Sequence, residues 1–188
     1  MRTKLTLLAA AVALCYELPI TAAEAQGVSY AGQQTRDIKA LSDNEIAALR
    51  NGEGIGLAKA AELNSYPGPR HALDLAGELE LSESQRRQLD AIYRQMNTEA
   101  RTLGAALIER ERALDALFAT GAVTPENLAV ETARIADVQG RLRAVHLAAH
   151  LETRALLGPE QVARYNRLRG YDGTAATGHH HPPGHHRH

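Results

Sequence analysis

An all-α fold with a long antiparallel helical hairpin, short flanking helices and disordered termini is predicted by three observations. The composition leans to helix formers, with Ala, Leu, Arg and Glu abundant, no Trp, one Phe and 4% aromatic residues. Two short segments, Leu81-Ser82-Glu83-Ser84-Gln85 and Leu157-Gly158-Pro159-Glu160-Gln161, each open a helical pattern. The stretch of about 75 residues between them has almost no strand-like sequence. So few large rings predict a thin layer of Leu, Ile, Val and Ala between long helices. Such a molecule presents broad, shallow faces more readily than a deep catalytic pocket.

The first residues read as an export signal. Arg2 and Lys4 precede a short apolar run from Leu5 to Cys15, and Ala23-Glu24-Ala25 supplies a small-x-small cleavage site. Glu17 and Pro19 interrupt the run before it is long enough to span a bilayer. Cleavage is expected after Ala25, leaving about 160 residues, a single domain by size. A lipoprotein cysteine at Cys15 is the competing reading, but the bulky Leu14 stands before it. Cys15 is the only cysteine, so the mature chain has no disulfide and no thiol chemistry. The formal charge of −1 is unchanged by cleavage, because two basic and two acidic residues leave together. No basic patch points to nucleic acid, and no stable membrane insertion is expected.

After a polar lead-in, Ser42-Asp43-Asn44-Glu45 is a capping box that starts a short helix with Ile46 and Leu49 facing inward. Asn51-Gly52-Glu53-Gly54-Ile55-Gly56 ends it, and a second short helix is expected over Leu57 to Leu63. A Pro/Gly turn over residues 64–69 leads to a helix over Arg70 to Leu79. Ser82, with Gln85 three residues later, forms the next capping box. Leu89, Ile92, Met96, Leu103, Leu107, Leu114 and Phe118 then keep helical spacing, predicting one helix of about ten turns ending at Gly121. Thr124 and Pro125 restart the chain as N-cap and first helical residue. Leu128, Ile135, Val138, Leu142, Val145, Ala149 and Leu156 carry the second long stripe. The connection is short, so the two helices are expected to lie antiparallel. Gly158-Pro159 opens a last helix with Val162, Tyr165 and Leu168 on one side, and beyond Gly170 the chain reads as disordered.

The two segments at Leu81–Gln85 and Leu157–Gln161 are close to the Leu-Thr-x-x-Gln motif, and over residues 70–170 the chain resembles the Spy/CpxP family. That family comprises periplasmic chaperones and metal-sensing or metal-buffering relatives of the ZraP and CnrX kind. The resemblance implies a four-helix fold, a cradle-shaped homodimer and clients that are unfolded envelope proteins. The metal-sensing branch implies instead a membrane sensor protein as partner. Ser82 keeps the capping oxygen of the usual threonine, whereas Gly158 removes it and leaves Gln161 and Pro159 to start the helix.

Three groups of residues could carry function. His146 and His150, four apart on a helix, share one face at the edge of the apolar stripe, a spacing that suits a transition metal or two ordinary boundary histidines. No glutamate stands between them in the zinc-protease manner. The resemblance to metal sensors adds His71 to this set, although Leu75 stands where that branch has a second histidine. The tail holds His179, His180, His181, His185, His186 and His188, six histidines in the last ten residues. Neutral imidazoles there can take nickel, copper or zinc, and the interruptions at Pro182, Pro183, Gly184 and Arg187 are unlike a cloning tag. Arg86, Arg87, Arg94, Arg101, Arg110 and Arg112, with Arg134, Arg141, Arg143 and Arg154, form a third set that could hold clients loosely, or simply a solvated, ion-paired face.

No enzyme is expected: there is no mature cysteine nucleophile, phosphate loop, Gly-x-Ser-x-Gly elbow or dense carboxylate cluster. The expected function is an ATP-independent periplasmic chaperone-like protein that requires no cofactor and binds zinc, nickel or copper as an accessory property. The alternative is a periplasmic heavy-metal sensor or buffer.

Overall fold

The computed structural model describes residues 30–172. The expected signal peptide and all six tail histidines lie outside the described residues. From Gln33 onward the chain forms a helical unit, and among the described residues all regular structure is helical. A 3-10 turn at Gln33–Thr35 is followed by α1 (Asp43–Asn51), α2 (Lys59–Glu62), α3 (Pro69–Asp74), α4 (Glu83–Ala119), α5 (Pro125–Leu156) and α6 (Pro159–Leu168). Among the described residues α3 to α6 make up the expected four-helix segment, and α1 and α2 are the two short helices expected in the lead-in.

Local chemistry sets the boundaries. Ser42, Ser82 and Thr124 each accept a hydrogen bond from the backbone N–H three residues on, and Glu45, Gln85 and Asn127 reach back to the cap. At Gly52 and Gly121 the chain turns left-handed, and paired bonds close the helix ends: Glu53 N–H to Ala48 O and Ala122 N–H to Leu117 O. The helix expected over Arg70 to Leu79 stops at Asp74 instead. Beyond it the chain tightens into successive turns and closes with Leu81 N–H on Ala76 O, Glu80 sitting at φ 50°. Those turns bring Ala76, Leu79 and Leu81 into one buried group, which a straight helix through Gly77 would spread apart.

The hairpin of α4 and α5 is the frame, and two apolar clusters sit along it. The first joins Ile38, Ile46 and Leu49 of the lead-in to Leu103, Leu107, Ile108, Ile135, Val138 and Leu142. Its closest approach is bare backbone: a Cβ on Gly104 would stand 2.3 Å from Leu49 O. The second joins Ala72, Leu79, Leu81 and Leu89 to Leu157, Val162 and Tyr165. Two apolar positions depart from the expected stripes. Phe118 is 58% exposed at the hairpin tip, where neither cluster reaches, and Leu168 is exposed at the end of α6.

Candidate functional site

Between the two clusters the buried face of α5 turns polar. Leu142, His146, His150 and Thr153 follow one another at helical spacing, and all four are buried. The histidines expected at the edge of the buried face are therefore inside it, with His146 4% and His150 9% exposed. Their partners come from the lead-in, which folds back over α5.

Glu62, at the end of α2, is the centre of this polar seam. Its carboxylate accepts hydrogen bonds from Tyr165 Oη (2.5 Å), Tyr171 Oη (3.1 Å) and the Gly68 N–H (3.2 Å). His71 Nδ1 lies 3.6 Å from one oxygen, His150 Nδ1 3.7 Å from the other, and Arg169 Nε 3.5 Å away. A buried carboxylate persists only when donors and cations replace water, and this ring does so. Tyr165, fully buried, has its phenol pushed far above the usual range, first by burial and then by its bond to Glu62.

The histidines differ in their commitments. His150 Nδ1 is 2.7 Å from Tyr66 O, which fixes the proton on Nδ1 and leaves Nε2 as an acceptor. That nitrogen stands 3.0 Å from where a Cβ on Gly68 would be, so only glycine leaves room. His146 packs against Gly54, its Nδ1 3.4 Å from a Cβ position there, and its Nε2 has no hydrogen-bond partner among the described residues. Burial first, and the neighbouring His150 second, hold the His146 imidazole below its usual pKa, so it is neutral near pH 7. His71 is half exposed on α3.

The structure thus brings His71 and His150 to the same carboxylate, while His146 faces a different wall one turn away. Among the described residues no group of three or more His, Cys, Asp or Glu side chains is arranged to hold a metal ion. As placed, the His71, His146 and His150 set does not fit a closed metal cage, because His150 Nδ1 and both Glu62 oxygens are committed to protein donors and acceptors. Glu62, Tyr66 and Tyr171 carried no sequence signal, and Tyr165 was legible only as an apolar position of the last helix. A lone carboxylate in an Ala-rich turn, followed by Pro67-Gly68-Pro69, is all that marks the place.

Glu62, His71, His146, His150 and Tyr171 line a groove of about 790 Å³ with the glycine-rich loop after α1, Tyr93 and Met96 of α4, and the cations Lys59, Arg70, Arg101 and Arg169. A second, shallower groove of about 260 Å³ opens between α4 and α5, floored by Ile92, Met96, Ala144, Val145, Ala148 and Ala149. The arginine set is largely neutralised. Arg86 and Arg154 bond backbone carbonyls, and Arg94, Arg110, Arg112, Arg134 and Arg141 pair with carboxylates. Arg87 and Arg143 have no such partner among the described residues.

The motif glutamines meet one another. Gln85 Oε1 accepts from Ser82 N–H, and Gln161 Oε1 from Gly158 N–H. Each amide nitrogen then donates to the other's oxygen, at 2.9 and 3.2 Å, and also to Leu156 O or Leu79 O. Gly158 therefore needs no hydroxyl, since Gln161 starts α6 alone.

A model described as the LTXXQ motif family matches residues 70–169. No curated protein and no solved structure matches the chain. No helix among the described residues is long and apolar enough to cross a membrane.

Proposed function

Since this chain belongs to the LTXXQ motif family, which includes Spy/CpxP-like periplasmic proteins, we propose that it is a periplasmic, ATP-independent chaperone-like protein. It holds unfolded or stress-exposed envelope proteins loosely, acts as a homodimer, catalyses no reaction, and binds zinc, nickel or copper as an accessory property. The observation that carries this reading is the open groove between α4 and α5. Its floor is apolar, Leu151 beside it is 60% exposed, and Gln95, Glu99 and Glu152 rim it. A shallow, uncovered apolar strip suits weak contact with many unfolded segments better than selection of one ligand. Accessory metal binding rests on the six tail histidines, whose affinity is limited by the entropy of ordering them.

A second reading, a heavy-metal sensor or buffer working with a membrane sensor protein, rests on the six tail histidines, since the cluster of His71 and His150 at Glu62 is not arranged to hold a metal. Two measurements separate the readings. Calorimetric titration with zinc, copper and nickel is run with and without residues 173–188, beside suppression of aggregation of a chemically unfolded client. The chaperone reading expects suppression that survives chelator and tail removal and falls with Ala148→Glu in the groove. Tight stoichiometric metal binding that survives truncation, without client suppression, overturns it in favour of the sensor.

A further inference from the structure

The loop between α1 and α2 has features that neither apolar cluster nor the Glu62 network uses. Ile55 stands at φ 34° and Gly56 at φ 85°, and Ile55 is 55% exposed. A β-branched residue at positive φ is strained, and packing does not repay it here. Glu53 N–H and Leu57 N–H are used by Ala48 O and Gly54 O, but Gly54, Ile55 and Gly56 N–H donate to no protein acceptor among the described residues. Successive unpaired N–H groups along a left-handed turn form a partial positive concavity suited to an anion.

Side chains around the loop agree with that sign. Lys59 folds back over Gly56, its Nζ 3.9 Å from where a Cβ would stand, and has no ion-pair partner among the described residues. Arg101 donates through Nε to Arg50 O and likewise lacks a carboxylate partner. The groove's two carboxylates are already engaged, Glu62 by the donors above and Glu53 by Asn51 Nδ2. His146, 4% exposed, closes the wall behind Gly54 with Nδ1 turned toward that residue. Tyr93, with the Arg70 guanidinium 5.7 Å from its ring centre, Met96 and Ile55 supply apolar surface beside Asn51, Asn97 and His71, and about 790 Å³ lies within the usual range for small-molecule sites.

We propose that this groove binds a small organic anion, its carboxylate or phosphate held by the Gly54–Gly56 backbone, Lys59 and Arg101, and its apolar body lying against Tyr93 and Met96. The loop and Lys59 precede the family segment at residues 70–169, whereas Tyr93, Met96 and Arg101 lie within it. The site shares only Met96 with the α4–α5 groove that carries the chaperone reading.

The test is a titration of the full chain followed by amide NMR, using phenyl phosphate, phenylacetate and inorganic phosphate as probes. The expected result is saturable shifts of the Gly54, Ile55 and Gly56 amides with phenyl phosphate or phenylacetate, the better of the two setting the anionic group. Inorganic phosphate is expected to bind at least about tenfold more weakly. Lys59→Glu, at an exposed position that leaves folding intact, is expected to weaken binding at least about tenfold, and Arg101→Gln severalfold. Absence of saturable loop shifts, or equal affinity in Lys59→Glu, overturns the site. Equal affinity for inorganic phosphate overturns the organic body of the ligand.

Discussion

Midway along the hairpin α1 meets α4 through bare backbone, Leu49 O against Gly104; at its open end, α4 and α6 meet through the side-chain amides of Gln85 and Gln161. The first contact is steric, allowing the lead-in to lie close and bury Ile46 and Leu49. The second is directional, with two side-chain amides satisfying two helix starts and two carbonyls from remote parts of the chain. Steric contacts fail when volume is added, and hydrogen-bond networks when one member is removed. The difference teaches where each contact is vulnerable.

The largest effect is expected from Gly104→Ala, whose added methyl overlaps Leu49 O and costs about 1–3 kcal/mol in urea unfolding. Hydrogen exchange should localise the loss to α1, and fast exchange appearing instead in α6 would contradict the independence of the two contacts. A smaller effect is expected at the motif end. Gln161→Ala leaves Gly158 N–H and Leu79 O unpaired, costing about 1 kcal/mol. A double-mutant cycle with Gln85→Ala should give a coupling of at least about 0.5 kcal/mol, whereas strict additivity would deny that the two amides meet.

The smallest effect belongs to the polar seam between the two contacts. His146 is held neutral by burial, its pKa below the ordinary value near 6.5 of the unfolded chain. The unfolded state therefore binds a proton first as pH falls. Stability from this residue is complete above about pH 7 and is lost below about 6.5, with a slope of at most about 1.4 kcal/mol per pH unit. His146→Gln should flatten that part of the acid limb of unfolding, and an unchanged limb would show that other groups set it.

Much of the frame was legible because its determinants are local. Ser42, Ser82 and Thr124 announce helix starts within four residues, and the spacing of the Leu/Ile/Val positions supports the hairpin. The directional end was only half legible. Gln85 and Gln161 were readable as caps, but nothing local says that residues 76 apart bond to each other. Gly104 did carry a signal, a glycine in mid-helix where it costs stability without close packing, and that signal points to α1 only once α1 is placed. His146 and His150 continue the Leu142 register toward Thr153, so their burial was implicit in spacing that their polarity obscured. Glu62 was illegible, since its donors come from residues 103 and 109 positions later.

Those separations carry a consequence for the order in which the molecule assembles. The α4–α5 hairpin closes across a short connection from Thr120 to Thr124 and can form as soon as both helices exist. The Gln85–Gln161 and Glu62–Tyr165 bonds close far longer loops, so the entropy of closing them falls on the last step. Until α6 arrives, the chain holds a hairpin whose Leu81 and Leu89 lack Val162 and Tyr165 and whose Glu62 lacks its tyrosine partners. The last described helix, α6, thus supplies what the hairpin lacks: Val162 and Tyr165 of the second apolar cluster, the Gln161 amide that meets Gln85, and the phenol on Glu62.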